Sequence, residues 1–198
     1  MLPLRWHTPS EWADQVLAAP LALLNDHAWL EKKAANNALE MLHRWPEPNP
    51  PENWVAAMTA IARDEVEHLA LVAKLVARRG GRLTKSHSNP YANELRDLVR
   101  WSRGPQETMD RLMISALIEA RSCERFFLLG ESCPDRELAK VYRGLYASEA
   151  GHYELFIELA RQLTDADDVD DRWETMLNHE AKIIRRQPPG PRMHSGVG

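Results

Sequence analysis

Apolar side chains recur along this chain every three or four residues, and the runs are separated by proline- and glycine-bearing breaks. That period predicts α-helices. Thr8-Pro9-Ser10-Glu11 predicts the first helix start, with threonine as cap, proline in the first turn and glutamate completing a capping box. This short helix should reach about Ala19. A long helix is expected from about Leu21 to Arg44, where Trp45-Pro46-Glu47-Pro48-Asn49-Pro50-Pro51 must interrupt it. A second runs from about Pro51 to Arg79 and places Ile61, Glu65, His68, Leu69 and Val72 on one face. Gly80-Gly81 ends it. Residues 80–104 form a long connection with a short helix from Asn93 to Trp101. Gly104-Pro105 opens a third long helix ending at Gly130, and Cys133-Pro134-Asp135 opens a fourth reaching about Gln162. Acids from Asp165 to Asp171 suit the N-terminus of a last helix that ends near Gln187. Pro188-Pro189-Gly190-Pro191 and the residues after it are expected to be a flexible tail.

Period-two runs rich in Val, Ile and Thr are absent, so strands have no support. Two helical hairpins joined by one long crossover make a ferritin-like topology. The expected fold is all-α: a ferritin-like four-helix bundle with additional flanking helices, in a single domain over residues 1–187, with residues 188–198 as the tail.

Polar residues inside these helices carry the chemistry. Twice a lone glutamate is followed about thirty residues later by Glu-x-x-His: Glu31 with Glu65 and His68, then Glu119 with Glu149 and His152. The spacing alone decides little, because three Glu-x-x-His matches occur where chance gives roughly 0.7. Position along the hairpins decides more. In the first hairpin Glu31 and Glu65 each lie ~20 Å from the turn, so they come level; Glu119 and Glu149 do the same in the second. The third match, Glu40 with His43, lies ~14 Å further along and has no counterpart. It is read as accidental. Four carboxylates and two imidazoles on inward faces are the ligand set with which ferritin-like bundles hold two iron or manganese ions. Without cations such buried carboxylates would be costly. Oxygen and nitrogen donors without thiolate suit iron or manganese better than structural zinc.

Composition narrows the setting. With 198 residues, 44% hydrophobic and 27% charged, one soluble domain is the default. No apolar run approaches the ~20 residues of a membrane span, so no membrane association is expected. Neither a secretory signal nor a disulfide framework is visible, and cytoplasm is the expected compartment. A net charge of −4 means that contact with nucleic acid would need a local basic patch. Candidates are Arg78, Arg79 and Arg82, and Arg185 and Arg186, although cations at helix C-termini also suit the helix dipole. Arg121 and Arg125 are further basic side chains near the ligand helix.

Other residues could shape a site. Asp64, beside Glu65 and four before His68, could hydrogen-bond a ligand imidazole or equally lie at the surface. His27, four before Glu31, reads as structural or exposed rather than as a ligand. Phe126, Phe127, Tyr142, Tyr146, Tyr153 and Phe156 could line a pocket, though most are expected in the core.

Arg63-Asp64-Glu65-Val66-Glu67-His68, Ile118-Glu119-Ala120-Arg121-Ser122-Cys123-Glu124-Arg125-Phe126 and Ser148-Glu149-Ala150-Gly151-His152 resemble the ferritin-like non-haem di-iron proteins. More narrowly they are similar to the bacterial tRNA 2-methylthio-N6-isopentenyladenosine hydroxylases. The resemblance implies a monooxygenase that hydroxylates the isopentenyl group of that modified adenosine in the tRNA anticodon loop. It implies two iron ions, O2 as co-substrate, and electrons from an external donor through an unidentified electron-transfer protein. The first hairpin carries Asp-Glu-Val-Glu-His where related oxygenases often have Asp-Glu-x-Arg-His, and Ser148 precedes Glu149 in the second. These departures touch the residues around the ligands and not the ligands themselves. Two rival classes share parts of the pattern: a ferritin- or rubrerythrin-like peroxidase or iron-handling protein, and a metal-free helical interaction protein. No Cys-x-x-Cys tail supports the rubrerythrin form.

Overall fold

A computed structural model describes residues 2–163 and 166–198. Asp165, expected at the start of the last helix, lies outside the described residues. The chain groups into two compact units, residues 20–88 and residues 1–19 with 89–198. Every regular element among the described residues is helical.

The 20–88 unit is a helical hairpin of α2 (Pro20–Met41), extended by a 3-10 turn at Leu42–Arg44, and α3 (Glu52–Arg78). The helices run antiparallel: Leu21 lies against Gly81 at one end, and the Trp54 indole donates to the Met41 carbonyl at 3.1 Å at the other. Buried positions on α3 alternate in steps of four and three, through Trp54, Met58, Ile61, Glu65, His68, Val72 and Leu75. On α2 they run Leu24, Ala28, Glu31, Ala35 and Ala38. Steps of three and four keep one stripe on the partner helix, so Glu31, Glu65 and His68 are buried by the same periodicity that buries the apolar residues. Ala28, Ala35 and Ala38 let the two backbones approach closely beside Glu31.

The other unit is built on α5 (Pro105–Ser132). Around it pack α1 (Glu11–Leu17), α4 (Pro90–Arg96), α6 (Arg136–Glu149), α7 (His152–Ala160) and α8 (Ala166–Arg185). Because neighbours cover α5 on several sides, it buries charged residues that must be paired. Arg121 makes a two-pronged bond to Glu180, with Nε to Oε1 and Nη2 to Oε2 both at 2.9 Å, and also meets Glu124. Asp110 accepts from Arg100 and Arg172.

Five local expectations are corrected. The capping box at Thr8 does not form, because Thr8 gives its N–H and hydroxyl to the Glu124 carboxylate at 3.2 and 2.6 Å; Ser10 is the N-cap of α1 and makes no side-chain cap bond. The short helix begins at Pro90 rather than Asn93, since Asn89 caps it by accepting from Ala92 N at 3.2 Å. Gly130 does not end α5 but lies within it. A Cβ there would meet Arg143 Cγ at 2.8 Å, so the glycine allows close approach of α6. The expected fourth helix is divided in two at Ala150-Gly151. Finally, the end of the expected flexible tail is packed: Met193, His194 and Ser195 are buried. Ser195 accepts from the Trp12 indole at 3.0 Å through Oγ and from Arg125 at 3.2 Å through its carbonyl. His194 lies between Ser122 and Asn89, against the Tyr91 ring.

Candidate metal centre

In the 20–88 unit, α2 supplies Glu31 and α3 supplies Glu65 and His68, one helical turn apart. One ligand atom from each lies within 4.8 Å of the others. His68 Nδ1 stands 3.9 Å from Glu31 Oε2. All three side chains are buried. Two carboxylates this close and this dry repel unless a cation or a proton lies between them.

The 89–198 segment holds a second triad. α5 carries Glu119, α6 ends on Glu149 and α7 begins on His152. Their ligand atoms also lie within 4.8 Å of one another, with Glu149 Oε2 and His152 Nδ1 in direct contact. Glu119 and Glu149 are buried and His152 is partly so. The two Glu-x-x-His pairs therefore differ in backbone: Glu65 and His68 share an unbroken helix, whereas a two-residue break separates Glu149 from His152. Cys123 sits one turn beyond Glu119. Burial pushes its thiol well up, and the charges of Glu119 and Glu149 push it further, so it stays neutral and adds no charge to the triad.

Each triad offers two carboxylates and one imidazole, without thiolate. That donor set fits iron or manganese, and the pair of triads matches the ligand complement of ferritin-like di-iron proteins. The Glu40/His43 pair is placed elsewhere: Glu40 accepts from Arg44 at 2.7 Å and His43 is exposed.

His27 is the residue that sequence reasoning undervalued. It is buried, and its Nε2 lies 2.5 Å from Glu31 Oε1. The available signal was its position four residues before Glu31, on the same helix face. Asp64, which could serve a ligand imidazole or lie at the surface, accepts from Arg63 Nε and Nη2 at 3.1 and 2.8 Å. Of the aromatic candidates, Phe126, Tyr142 and Phe156 are core residues, while Phe127 and Tyr146 are exposed.

The basic candidates separate by environment. Arg78, Arg82 and Arg185 are exposed and Arg79 is half-buried. Arg186 is exposed but engaged, its guanidinium bound to Glu94. Arg121 and Arg125 are fully buried, which removes them as phosphate contacts. Arg125 instead lies 3.9 Å over the Trp12 ring, and burial together with Arg121 draws its pKa down to about 9.

A family model described as tRNA-(MS[2]IO[6]A)-hydroxylase (MiaE) matches residues 2–195. The chain is 37% identical over 190 residues to the tRNA 2-(methylsulfanyl)-N(6)-isopentenyladenosine(37) hydroxylase of Pseudomonas putida, covering 96% of this chain and 90% of that protein. It is 34% identical over 140 residues to the protein of the same name from Salmonella typhimurium, covering 71% of this chain and 51% of that one. Among solved structures, a Synechococcus protein with aldehyde deformylating oxygenase activity superposes with a TM-score of 0.88 at 36% identity, covering 98% of this chain and 96% of that one. The fold is all-α and ferritin-like, as the sequence predicted. The chain belongs to the tRNA-(MS[2]IO[6]A)-hydroxylase family.

Proposed function

We propose that this member of the family is an O2-dependent non-haem di-iron monooxygenase acting on tRNA. Its reaction is hydroxylation of the isopentenyl group of 2-methylthio-N6-isopentenyladenosine beside the anticodon. The observation that carries this reading is the pair of compact triads, Glu31 with Glu65 and His68, and Glu119 with Glu149 and His152. What supports a di-metal reading is the complement itself: one glutamate each from α2 and α5, Glu-x-x-His on α3, and Glu-x-x-His spanning the break between α6 and α7.

When bound, the two irons supply the redox chemistry with O2 that no amino-acid side chain provides. The balance is one C–H bond, O2, two electrons and two protons giving C–OH and water, so an external electron donor is required. The residues of the chain do the rest. The four carboxylates offset the charge of two cations. His27 holds Glu31 in place through Nε2, as an imidazole beside a metal-binding carboxylate does. Phe126 and Tyr142, stacked at 6.1 Å between centroids, and Phe156 make a dry wall in the unit that carries Glu119. Dry surroundings keep a reactive oxidant from water. An anticodon-loop nucleoside is a reasonable target because an unpaired base can leave its stack and enter a protein pocket.

No helix among the described residues is long and apolar enough to cross a membrane, in keeping with a tRNA substrate and our reading of a cytoplasmic enzyme. The test is mass spectrometry of tRNA nucleosides from cells with and without the gene. The hydroxylated nucleoside should vanish on deletion and the unhydroxylated one accumulate; an unchanged nucleoside profile would refute the assignment.

A further inference from the structure

We infer that the outward face of α6, together with Phe127 of α5, is the surface that holds the single-stranded RNA flanking the target nucleoside. This rests on the tRNA-hydroxylase reading above. Phe127 and Tyr146 are large aromatic residues left 51% and 37% exposed. Their rings meet at 5.7 Å between centroids with planes tilted by 56°. An aromatic pair open to solvent is a stacking platform, and bases stack on such rings whatever their sequence.

What lies on either side of the pair gives it direction. α5 and α6 run antiparallel here: Phe127 meets Tyr146, and one turn further Gly130 meets Arg143. In one direction Glu149 follows Tyr146 by three residues, a rise of ~4.5 Å. In the other come Arg143, Lys140 and Arg136, all exposed and spaced to fall on a single helical stripe. The order along α6 is therefore proposed ligand, aromatic platform, then three cations spread over ~10 Å. A strand whose modified base is delivered at the ligand level would stack a neighbouring base on Phe127 and Tyr146, and its phosphates would meet the cations. Three exposed acids lie close. Asp135, beside Arg136, turns its carboxylate to the N–H groups of Glu137 and Leu138 at the start of α6. Glu131 is 4.0 Å from Arg143, and Glu137 is turned off the stripe by about 100°. They leave the stripe itself positive.

Two further candidates in this unit are already engaged. Exposed Trp101 has the guanidiniums of Arg96 and Arg111 over its ring at 5.4 and 4.9 Å, and Arg186 is bound to Glu94. A protein electron donor with an acidic face would also be drawn to the α6 cations, but it would not require open aromatic faces. The aromatic pair favours RNA.

The test uses the full-length iron-loaded protein and an anticodon stem–loop RNA carrying 2-methylthio-N6-isopentenyladenosine. Phe127→Ala with Tyr146→Ala should weaken binding about tenfold or more, as the loss of one stacked base does, whereas Tyr146→Phe should bind like the parent. Arg136→Glu with Lys140→Glu should weaken binding and flatten its salt dependence. Iron content should be unchanged in every variant, which separates these effects from misfolding. If the parent binds the RNA and the alanine pair binds it equally well, the proposed surface is wrong while the hydroxylase reading stands. If the parent protein does not bind the RNA at all, both fall. If the variants bind RNA normally yet turn over slowly with a protein reductant and normally with dithionite, the face serves the electron donor and the proposal is overturned.

Discussion

His27 Nε2 lies 2.5 Å from Glu31 Oε1, one turn apart on α2 with both side chains buried. The contact fixes which way the Glu31 carboxylate faces, and Glu31 in turn stands within 3.9 Å of His68. The first triad is thus oriented by an imidazole that belongs to neither Glu-x-x-His pair.

The role of His27 is separable from that of the ligands. Iron loading under anaerobic conditions should give about two metals per chain. His68→Ala and Glu149→Ala should each lower that number, whereas His43→Ala should not. His27→Ala should weaken iron binding by roughly 10- to 100-fold, the usual effect of removing a group that positions a ligand. His27→Gln retains an N–H donor and should recover part of it. Full iron affinity in His27→Ala, measured by competition with a chelator, would show that the contact is only packing.

Acid should attack the α5 unit through Asp110. Burial alone would raise its pKa, but hydrogen bonds from Arg100 and Arg172 outweigh burial and hold the carboxyl below the ordinary aspartate range. A group depressed in this way contributes its stability in full above the unfolded pKa of about 4 and loses it as pH falls through the lower folded value. Glu124, held down by Arg121 and Thr8 against the same burial effect, behaves alike. Asp110→Asn leaves two partly exposed guanidiniums facing a neutral group and should cost about 1.5–3 kcal/mol. A chain of this size should then melt several degrees lower. An unshifted thermal midpoint in Asp110→Asn at neutral pH would contradict this account of the buried pair.

The packed C-terminal segment offers a cleaner steric test. A Cβ at Gly196 would overlap the Gln187 carbonyl oxygen, whereas one at Gly144, on α6, meets nothing within 4 Å. Gly144→Ala should stabilise by up to about 1 kcal/mol through helix propensity. Gly196→Ala should dislodge residues 193–195 and speed proteolysis there. Equal resistance in the parent and Gly196→Ala would mean that the segment is not held as described.

Much of this was legible in the sequence because periodicity and burial share one cause. The steps of three and four that predict α3 also place Glu65 and His68 in its buried stripe, so the fold and the candidate ligand positions share one pattern. The missed features depend on contacts made far along the chain. Thr8 has a good capping sequence, but its N–H and hydroxyl donate to the Glu124 carboxylate, which tertiary packing brings from far along the chain. Gly130 looks like a helix stop until the approach of Arg143 from α6 is known. Residues 193–195 carry little apolar pattern and are buried by particular bonds to Trp12, Ser122 and Arg125. The break at Ala150-Gly151 leaves the Glu-x-x-His spacing unchanged, so no spacing argument could reveal it.

On this reading the chain puts an oxygen atom from O2 onto the isopentenyl group of its tRNA nucleoside. The most direct measurement is a single-turnover reaction of the reduced, iron-loaded protein with modified anticodon stem–loop RNA under 18O2, followed by mass spectrometry of the nucleosides. A hydroxylated product carrying one 18O atom, with unlabelled product in the matched experiment using 18O-labelled water, is the predicted result. Product labelled from water after correction for exchange, or peroxide turnover without any hydroxylated nucleoside, would contradict it.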